Sequence, residues 1–291
     1  MKRNPLTPFL FLVPGLIILG AFIFYPMLHA IWLSFTNYNI VNDAEFIGLE
    51  NYQALFEDPL FWRVLGQTLL YLIIVVPALV VLPIFLAILV NKQIKGIGFF
   101  RSAYYIPVVT SMVVVGIAWK WVYADQGVLN YILDSLGIIS APVNWLTSTS
   151  TSIFAVMIVT IWKGLGYYMV IYLAGLQSIP DDLYEAADID GASKWKQIWH
   201  ITVPLLMPSI MIVTIMSSIS AMKVFEEIYV MTGGGPLNSS KTLVFYIYQE
   251  AFEKLQMGYA SAAGVVLFLI TLIFSIINIK FMNKKENVIK G

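Results

Sequence analysis

A few polar side chains stand inside apolar stretches of the sequence, where hydrogen bonding rather than bond-breaking chemistry is expected of them. Lys163 lies about midway along one such stretch, and Tyr167 follows one helical turn later on the same face. Thr214, Ser217 and Ser218 share one helical face of another stretch. These groups could hold the hydroxyls of a polar solute in a pathway. They could equally form a structural ion pair or the hydrogen bonds that pack one helix on another.

A second set of polar residues lies in a charged segment of about twenty residues, Glu185–Pro204, which can form helices. Such a segment has little reason to persist in an apolar chain unless it meets a partner in water. Small residues leave room for the partner's surface, and acids surround them. The residues predicted to meet this partner are Tyr184, Glu185, Ala186, Ala187, Asp188, Asp190 and Gly191. The alternative is an amphipathic loop packed on lipid headgroups.

The sequence does not predict an enzyme. It contains no G-x-x-x-x-G-K-[ST] phosphate-binding motif, so the chain itself is not expected to bind ATP. Cysteine is absent, and His29 and His200 are too few and too far apart for a histidine-based site. No Ser/His/Asp set or paired metal-ligand motif occurs. We therefore expect no cofactor and no metal in this chain, and the zero net charge gives no sign of nucleic-acid binding.

The elements that must position these residues are membrane helices. The chain has 291 residues, of which 59% are hydrophobic and 12% are charged, whereas soluble domains carry about 25% charged residues. Long apolar runs without alternation predict an all-α protein rather than a barrel. We predict a single transmembrane domain, residues 1–291, that forms a bundle of six helices. The approximate spans are 9–35, 64–90, 104–122, 153–176, 203–224 and 260–281.

Lysine and arginine are distributed unevenly among the loops, which predicts the orientation of the chain. The loops 37–62 and 124–152 contain neither residue, and the first of them is rich in acids. Because positive loops stay on the cytoplasmic side, both termini and the loop 178–202 are predicted to be cytoplasmic. The residues that set this bias are Lys2, Arg3, Lys92, Lys95, Arg101, Lys194, Lys196, Lys280, Lys284, Lys285 and Lys290.

The loop 178–202 is predicted to fold as a helix–turn–helix hairpin across the cytoplasmic face. Ser178 with Asp181 three residues later is typical of a capping box at a helix start. Gly191 can adopt a left-handed conformation and turn the chain. Ser193 can then begin a second short helix, which runs toward Pro204 and the fifth span.

The spacing of this loop resembles a known motif. Glu185-Ala186-Ala187, then Gly191, Ile201 and Val203-Pro204, are similar to the EAA loop of ATP-binding-cassette importer permeases. Val203 stands where that family usually has leucine before the proline. The match lies in the predicted cytoplasmic loop before the penultimate span, which is the position of the EAA loop in the family.

The resemblance extends over nearly the whole chain. The outer loop Thr232–Pro236 resembles that of the maltose-transporter F-type half, although its glycines alone predict a flexible turn. Gln67-Thr68 departs from a common Asn-Thr pair. The other segments that resemble sugar-importer permeases are Phe46–Tyr52, Asp58-Pro59, Phe61-Trp62, Phe100-Arg101 with Pro107, Trp119 with Trp121, and Trp162–Gly166.

The resemblance implies a permease of the prokaryotic cytoplasmic (inner) membrane that takes up sugars or oligosaccharides. It implies four kinds of partner: a second homologous permease subunit, two ATPase subunits that bind ATP and Mg, an external solute-binding protein, and the lipid bilayer. In this family the EAA loop is the coupling helix and docks in a groove of the ATPase. Lys223, Glu226 and Glu227 follow the fifth span and are expected to be a solvated cluster or a contact for the binding protein.

Three alternatives stay open at the level of sequence. Within the family, the substrate could be a glycerol-phosphate-type solute, although such a solute should recruit more pathway cations than Lys163 alone. The chain could instead be an ion-driven secondary transporter, which would require carboxylates inside the membrane; the first four predicted spans contain none. It could also be a membrane scaffold or receptor that transports nothing.

Overall fold

Helices make up almost all of the regular structure of this chain. The computed structural model describes residues 6–91 and 95–290, and within those ranges the β pairing is limited to an isolated bridge between Thr36 and Phe46. Two compact units form. One contains the chain up to Trp62 together with Tyr246–Ile270, and the other contains Arg63–Phe245 and the segment from Thr271 onward. The all-α prediction is confirmed for the described residues.

The helices vary widely in length, from three residues to 34. Short π-helical segments, Gly20–Phe24, Ile198–Thr202 and Gln249–Glu253, follow α1, α10 and α14. The α-helices are α1 (Leu6–Leu19), α2 (Tyr25–Leu33), α3 (Glu50–Glu57), α4 (Pro59–Val90), α5 (Ile97–Val109), α6 (Met112–Val122), α7 (Val128–Ser135), α8 (Ser152–Leu176), α9 (Asp182–Ile189), α10 (Lys194–Gln197), α11 (Val203–Leu205), α12 (Met207–Met222), α13 (Glu226–Met231), α14 (Leu243–Tyr248) and α15 (Met257–Lys290).

Four helical segments in the described part of the chain are long and apolar enough to cross a bilayer without a break. They correspond to the predicted first, second, fourth and sixth spans and lie at Phe11–Leu33, Pro59–Val90, Ser152–Leu176 and Met257–Lys280. Two further helix pairs reach the required length only if each bent pair counts as one span. The chain therefore has four to six candidate membrane helices.

The predicted third span, 104–122, corresponds to a bent pair of helices. Helix α5 ends at Val109, α6 begins at Met112, and the two axes meet at 101°. Thr110 and Ser111 have ψ angles of 136° and 137°, which are extended and not helical. Pro107 lies just before this break and removes one N–H from the helical ladder. Apolar length could not reveal the break, because hydropathy carries no information about direction.

The predicted fifth span over 203–224 is also interrupted. The segment Lys194–Leu205 meets α12 at an angle of 68°, and α12 itself has only 16 residues. Pro204 and Pro208 lie on either side of the bend and cannot donate backbone hydrogen bonds to the preceding turn. As a result, the chain that leaves the hairpin turns sharply before it enters α12.

In the first unit, one amide side chain ties α3 to the end of α2. Asn51 Nδ2 donates to the carbonyl oxygens of Ser34 at 2.9 Å and Thr36 at 2.8 Å, and Asn51 is 9% exposed. The Gly258 amide donates to Tyr38 O at 2.9 Å. A Cβ at Gly258 would lie 2.1 Å from Thr36 O, so a side chain would prevent this approach.

The second unit is built around α8, which packs against α5, α12 and α13. Val156, Val159, Met169 and Tyr172 on α8 are fully buried. In lipid, helices associate through close packing rather than through exclusion of water, and small residues allow the closest approach. At Gly166, α8 lies against the backbone of α5 so closely that a Cβ would come within 1.9 Å of Tyr104 O. This helix therefore fixes the positions of the residues predicted to line a pathway.

Candidate functional site

The turn between α9 and α10 has the geometry of a glycine-terminated helix. Gly191 has φ +71°, the left-handed conformation that its sequence position predicts. The Ala192 amide donates to Ala187 O at 2.9 Å, and the Gly191 amide donates to Asp188 O at 3.1 Å. This pair of hydrogen bonds is a Schellman motif. Because an L-residue rarely adopts this φ, glycine is what permits the tight reversal.

Of the two helix caps predicted for the hairpin, the structure contains one. Ser193 caps the second helix as predicted, since its Oγ accepts a hydrogen bond from the Lys196 amide at 3.4 Å. The predicted capping role of Ser178 is wrong. Its Oγ donates back to Gly175 O at 2.7 Å, one turn behind it in α8, and α9 begins later, after Asp181.

The residues of α9 predicted to meet a partner differ in exposure. Glu185, Ala186, Asp190 and Gly191 are exposed, whereas Tyr184 and Ala187 are half-buried. Ile189 is 87% exposed, more than any other large apolar side chain described. Our sequence analysis did not select it, although an isoleucine at i+4 from Glu185 in a polar helix is a signal of apolar contact. An exposed apolar side chain flanked by acidic residues is typical of a site that contacts another protein.

Asp188 was predicted to present its charge to a partner, but its carboxylate is engaged within the hairpin. Lys194 Nζ lies 2.9 Å from Oδ1 and 3.0 Å from Oδ2. The hydrogen bonds from Lys194 and then Gln197 lower the pKa of the Asp188 carboxyl. Asp188 therefore keeps its negative charge at neutral pH, and this charge interacts with Lys194 and Gln197 of the same hairpin.

A cavity of about 410 Å³ opens in the second unit beside α8 and α12. Its wall combines apolar side chains with hydroxyls, two carboxylates and one ammonium group. The lining residues are Val75, Leu79, Thr160, Ser217, Ile219, Ser220, Ala221, Lys223, Val224, Phe225, Glu226 and Glu227. A mixed wall of this kind suits a polar solute that carries some apolar surface.

The residues predicted for a solute pathway are only partly brought together by this cavity. Ser217 lines it, whereas Thr214 and Ser218 lie outside the lining. Thr214 Oγ1 donates to Ile210 O at 2.7 Å and Ser218 Oγ to Thr214 O at 2.6 Å, so these hydroxyls satisfy their own helix. Lys163 is half-buried on α8. Tyr167 is 38% exposed.

Sequence analysis missed most of the polar lining. Lys223, Glu226 and Glu227 line the cavity. Lys223 and Glu226 are exposed, as the prediction of a solvated cluster allows, whereas Glu227 is half-buried. Helix α13 packs against α6 and α8, which carries both carboxylates into the second unit. Burial raises the pKa of the Glu227 carboxyl; Glu226 adds to this shift, and Lys163 acts in the opposite direction. Thr160 was also missed, and its hydroxyl hydrogen-bonds the buried Tyr71 hydroxyl.

The glycine-rich segment 232–236 after α13 is followed by a buried stretch of the same loop. Residues 239–242 are at most 8% exposed. Ser240 Oγ donates to Gly235 O at 2.7 Å, and Gln67 Nε2 donates to the carbonyl oxygens of Asn238 and Ser239 at 2.9 Å each. The Gln67-Thr68 pair, a departure from the family pattern, thus anchors this loop, since the Leu243 amide also donates to Thr68 Oγ1 at 2.9 Å.

The membrane-length helices define an integral membrane protein, and comparison with known proteins identifies its family. The sequence model of the protein family described as "Binding-protein-dependent transport system inner membrane component" matches residues 54–282 of this chain. Over 285 residues the chain is 37% identical to the probable ABC transporter permease protein YurN of Bacillus subtilis, with 97% of each chain covered. It is 37% identical over 278 residues to the arabinooligosaccharides transport system permease protein AraP of the same species, covering 94% of this chain and 88% of AraP.

A solved structure has the same fold. A chain of the bacterial alginate ABC transporter, in complex with an alginate pentasaccharide-bound periplasmic protein, matches with a TM-score of 0.84 and 25% identity. The match covers 96% of this chain and 94% of that one. This chain belongs to the family of binding-protein-dependent transport system inner membrane components.

Proposed function

We propose that this chain is one of two permease subunits of an ATP-driven importer for sugars or oligosaccharides. The relative AraP carries arabinooligosaccharides in its name, and the alginate transporter takes a polysaccharide. The single observation that carries the proposal is the exposed hairpin of Glu185–Gly191, which joins two candidate membrane helices and has the spacing of a coupling loop. The chain supplies no chemistry of its own and is not an enzyme.

The complete importer would contain a second homologous permease, two ATPase subunits and an external solute-binding protein. ATP and Mg would bind the ATPase subunits, and this chain would hold no cofactor. It would form a single domain of six spans, with each bent pair counted as one, in the prokaryotic inner membrane. Both termini and the hairpin would lie in the cytoplasm, in accord with the distribution of lysine and arginine.

Coupling would pass through the exposed surface of α9. The residues assigned to ATPase docking are Tyr184, Glu185, Ala186, Ala187, Asp190 and Gly191, with Ile189 added because of its exposure. Closure of the ATPase subunits on ATP would displace this hairpin, and the helices that follow would shift between inward-facing and outward-facing states. Such a shift requires contacts that differ between the two states.

The source of energy separates this proposal from an ion-driven transporter. In cells that express the chain with the products of its neighbouring genes, we expect solute uptake to stop when ATP is depleted. Uptake should continue when a protonophore collapses the ion gradient while ATP stays high. Uptake that follows the gradient and ignores ATP would overturn the proposal. Substrate that leaves ATP turnover unchanged would favour a scaffold.

The cavity beside α8 and α12 is our candidate for the solute pathway, with Lys163 and Tyr167 on the neighbouring helix. Its lining carries two carboxylates and one lysine, so an anionic solute would meet unfavourable charge. This arrangement favours a neutral saccharide over a glycerol-phosphate-type solute. Ser217, Thr160 and Glu227 would accept or donate hydrogen bonds to its hydroxyls.

Replacing Glu227 with leucine is expected to lower uptake of a neutral oligosaccharide about tenfold. A buried hydrogen bond to the solute is lost, which typically costs about 1–3 kcal/mol. Glu227→Gln keeps donor and acceptor atoms and should transport within about threefold of the wild type. Uptake by inner-membrane vesicles loaded with ATP measures both variants. Wild-type uptake in Glu227→Leu would remove this cavity from the pathway.

A further inference from the structure

A compact cluster of polar side chains joins the two helices of the hairpin. The Asp188 carboxylate accepts hydrogen bonds from Lys194 Nζ at 2.9 Å and 3.0 Å, and a third from Gln197 Nε2. Lys194 Nζ also donates to Gln197 Oε1 at 3.2 Å. We call Asp188, Lys194 and Gln197 the clasp. It joins α9 to α10 across the turn at Gly191.

The clasp differs from an ordinary surface ion pair because one member is buried. The Lys194 and Asp188 side chains are 76% and 53% exposed, and such a pair alone contributes little stability. Gln197, however, is 3% exposed, and its amide also donates to Ala192 O at 3.3 Å. The buried amide therefore holds the carboxylate in place, and the lysine completes its coordination.

Both arms of the hairpin are short, so contacts between their side chains should add to the backbone hydrogen bonds of the turn. Helix α9 has eight residues and α10 has four, and helices this short are marginal in isolation. A Cβ built at Gly191 would meet no atom within 4 Å, so the outer side of the turn is open. Besides the clasp, the hydroxyls of Tyr184 and Thr202 form a hydrogen bond of 2.9 Å between the two arms.

We propose that Asp188, Lys194 and Gln197 are positioning residues that make the hairpin move as one rigid piece. A displacement applied at Glu185 then reaches α12 through the segment Lys194–Leu205. With the clasp open, the turn at Gly191 would absorb part of that displacement. This inference rests on the proposed function, because it concerns how efficiently ATP hydrolysis is converted into solute movement.

The clasp also assigns Asp188 a role that competes with ATPase docking. If the Asp188 carboxylate faces the ATPase, it requires a complementary charge on that partner. Exchanging the charges of Asp188 and Lys194 would then not restore docking. If the carboxylate serves the clasp, an ion pair between residues 188 and 194 is what matters, and exchanging the two charges would preserve it. The two roles therefore predict opposite results for one double substitution.

The test uses the intact importer, reconstituted with its ATPase subunits, second permease and binding protein, and measures ATP molecules hydrolysed per solute imported. Asp188→Lys and Lys194→Asp are each expected to raise this ratio about threefold, the effect of losing about 0.7 kcal/mol of coupling. The double variant with both changes should return the ratio to within about 1.5-fold of the wild type. Lys196→Asp is the matched control, because it reverses the same charge two residues away outside the clasp.

Retention of the ATPase subunits during purification shows that each variant still folds and docks. Gln197→Leu removes the buried amide with similar volume and should raise the ratio as the ion-pair variants do. A double variant no better than either single variant would overturn the clasp and return Asp188 to docking. If the wild type imports solute on ATP and no variant changes the ratio of ATP hydrolysed to solute imported, the clasp is also overturned. A wild type that imports nothing on ATP would overturn the proposed function itself.

Discussion

Replacing Glu185 with lysine is expected to lower solute uptake about 100-fold while the chain still enters the membrane. The Glu185 side chain is exposed on α9 and makes none of the hydrogen bonds that join the two arms of the hairpin, so a change of side chain should leave the fold intact. Reversal of one charge at a docked surface places like charges together and typically costs several kcal/mol. A loss of about 2.7 kcal/mol corresponds to a 100-fold weaker association.

Two measurements on Glu185→Lys separate coupling from folding. The amount of chain in the membrane fraction should equal that of the wild type, while the ATPase subunits are lost on purification or hydrolyse ATP without uptake. Asp182→Lys, which reverses a charge one turn earlier on the same helix, serves as the control and should keep most uptake. Normal uptake with bound ATPase in Glu185→Lys would show that this face of α9 does not dock.

Replacing Gly166 with alanine is expected to prevent stable folding of the second unit. A Cβ at Gly166 would lie 1.9 Å from Tyr104 O and 3.2 Å from Tyr105 Cα, which is far inside contact distance. The obstructing atoms belong to the backbone of α5, so they cannot move aside as a flexible side chain could. Overpacking of this kind costs about 1–3 kcal/mol or more, and α8 is the central helix of the unit.

A second glycine of the same unit provides the matched control. Gly66 lies in α4, and a Cβ there would meet no atom within 4 Å. Gly66→Ala should accumulate normally, because alanine favours a helix over glycine by about 0.5–1 kcal/mol. Thermal unfolding in detergent and the yield of protein in membranes measure both variants. Equal yield and melting temperature for Gly166→Ala and wild type would show that α5 and α8 do not approach so closely.

The long spans could be predicted from sequence because apolar length is a property of one segment at a time. Pro59–Val90 and Ser152–Leu176 both contain the windows expected from hydropathy. The bends at Thr110–Ser111 and at Leu206 were not predicted. They depend on where the chain leaves helical dihedrals, and a proline permits a bend without determining its angle. The α5–α6 and α11–α12 segments therefore have the apolar length that the sequence predicts, but the angle of each bend could not be predicted.

In the hairpin and in the cavity, too, local features could be predicted from sequence, whereas contacts between helices could not. Gly191 and Ser193 could be predicted because a left-handed turn and a helix cap are local chemistry. The contact from Asp188 to Gln197 could not, since it depends on the angle between two helices. Glu226 and Glu227 were expected to form a solvated cluster or a contact for the binding protein, because they follow a predicted span in sequence. They line a cavity because α13 packs back against α6 and α8.

The central claim of the proposed function is that the exposed surface of α9 contacts an ATPase subunit. Because the chain contains no cysteine, a single Ala186→Cys variant presents one defined thiol on that surface. In a transport-active complex, a short thiol-to-amine crosslinker should join this chain to the ATPase subunit. Asp43→Cys, in the acid-rich loop 37–62 that we predict to lie outside the cytoplasm, should give no such product. A complex that imports solute and never yields the Ala186 crosslink to the ATPase would contradict the account.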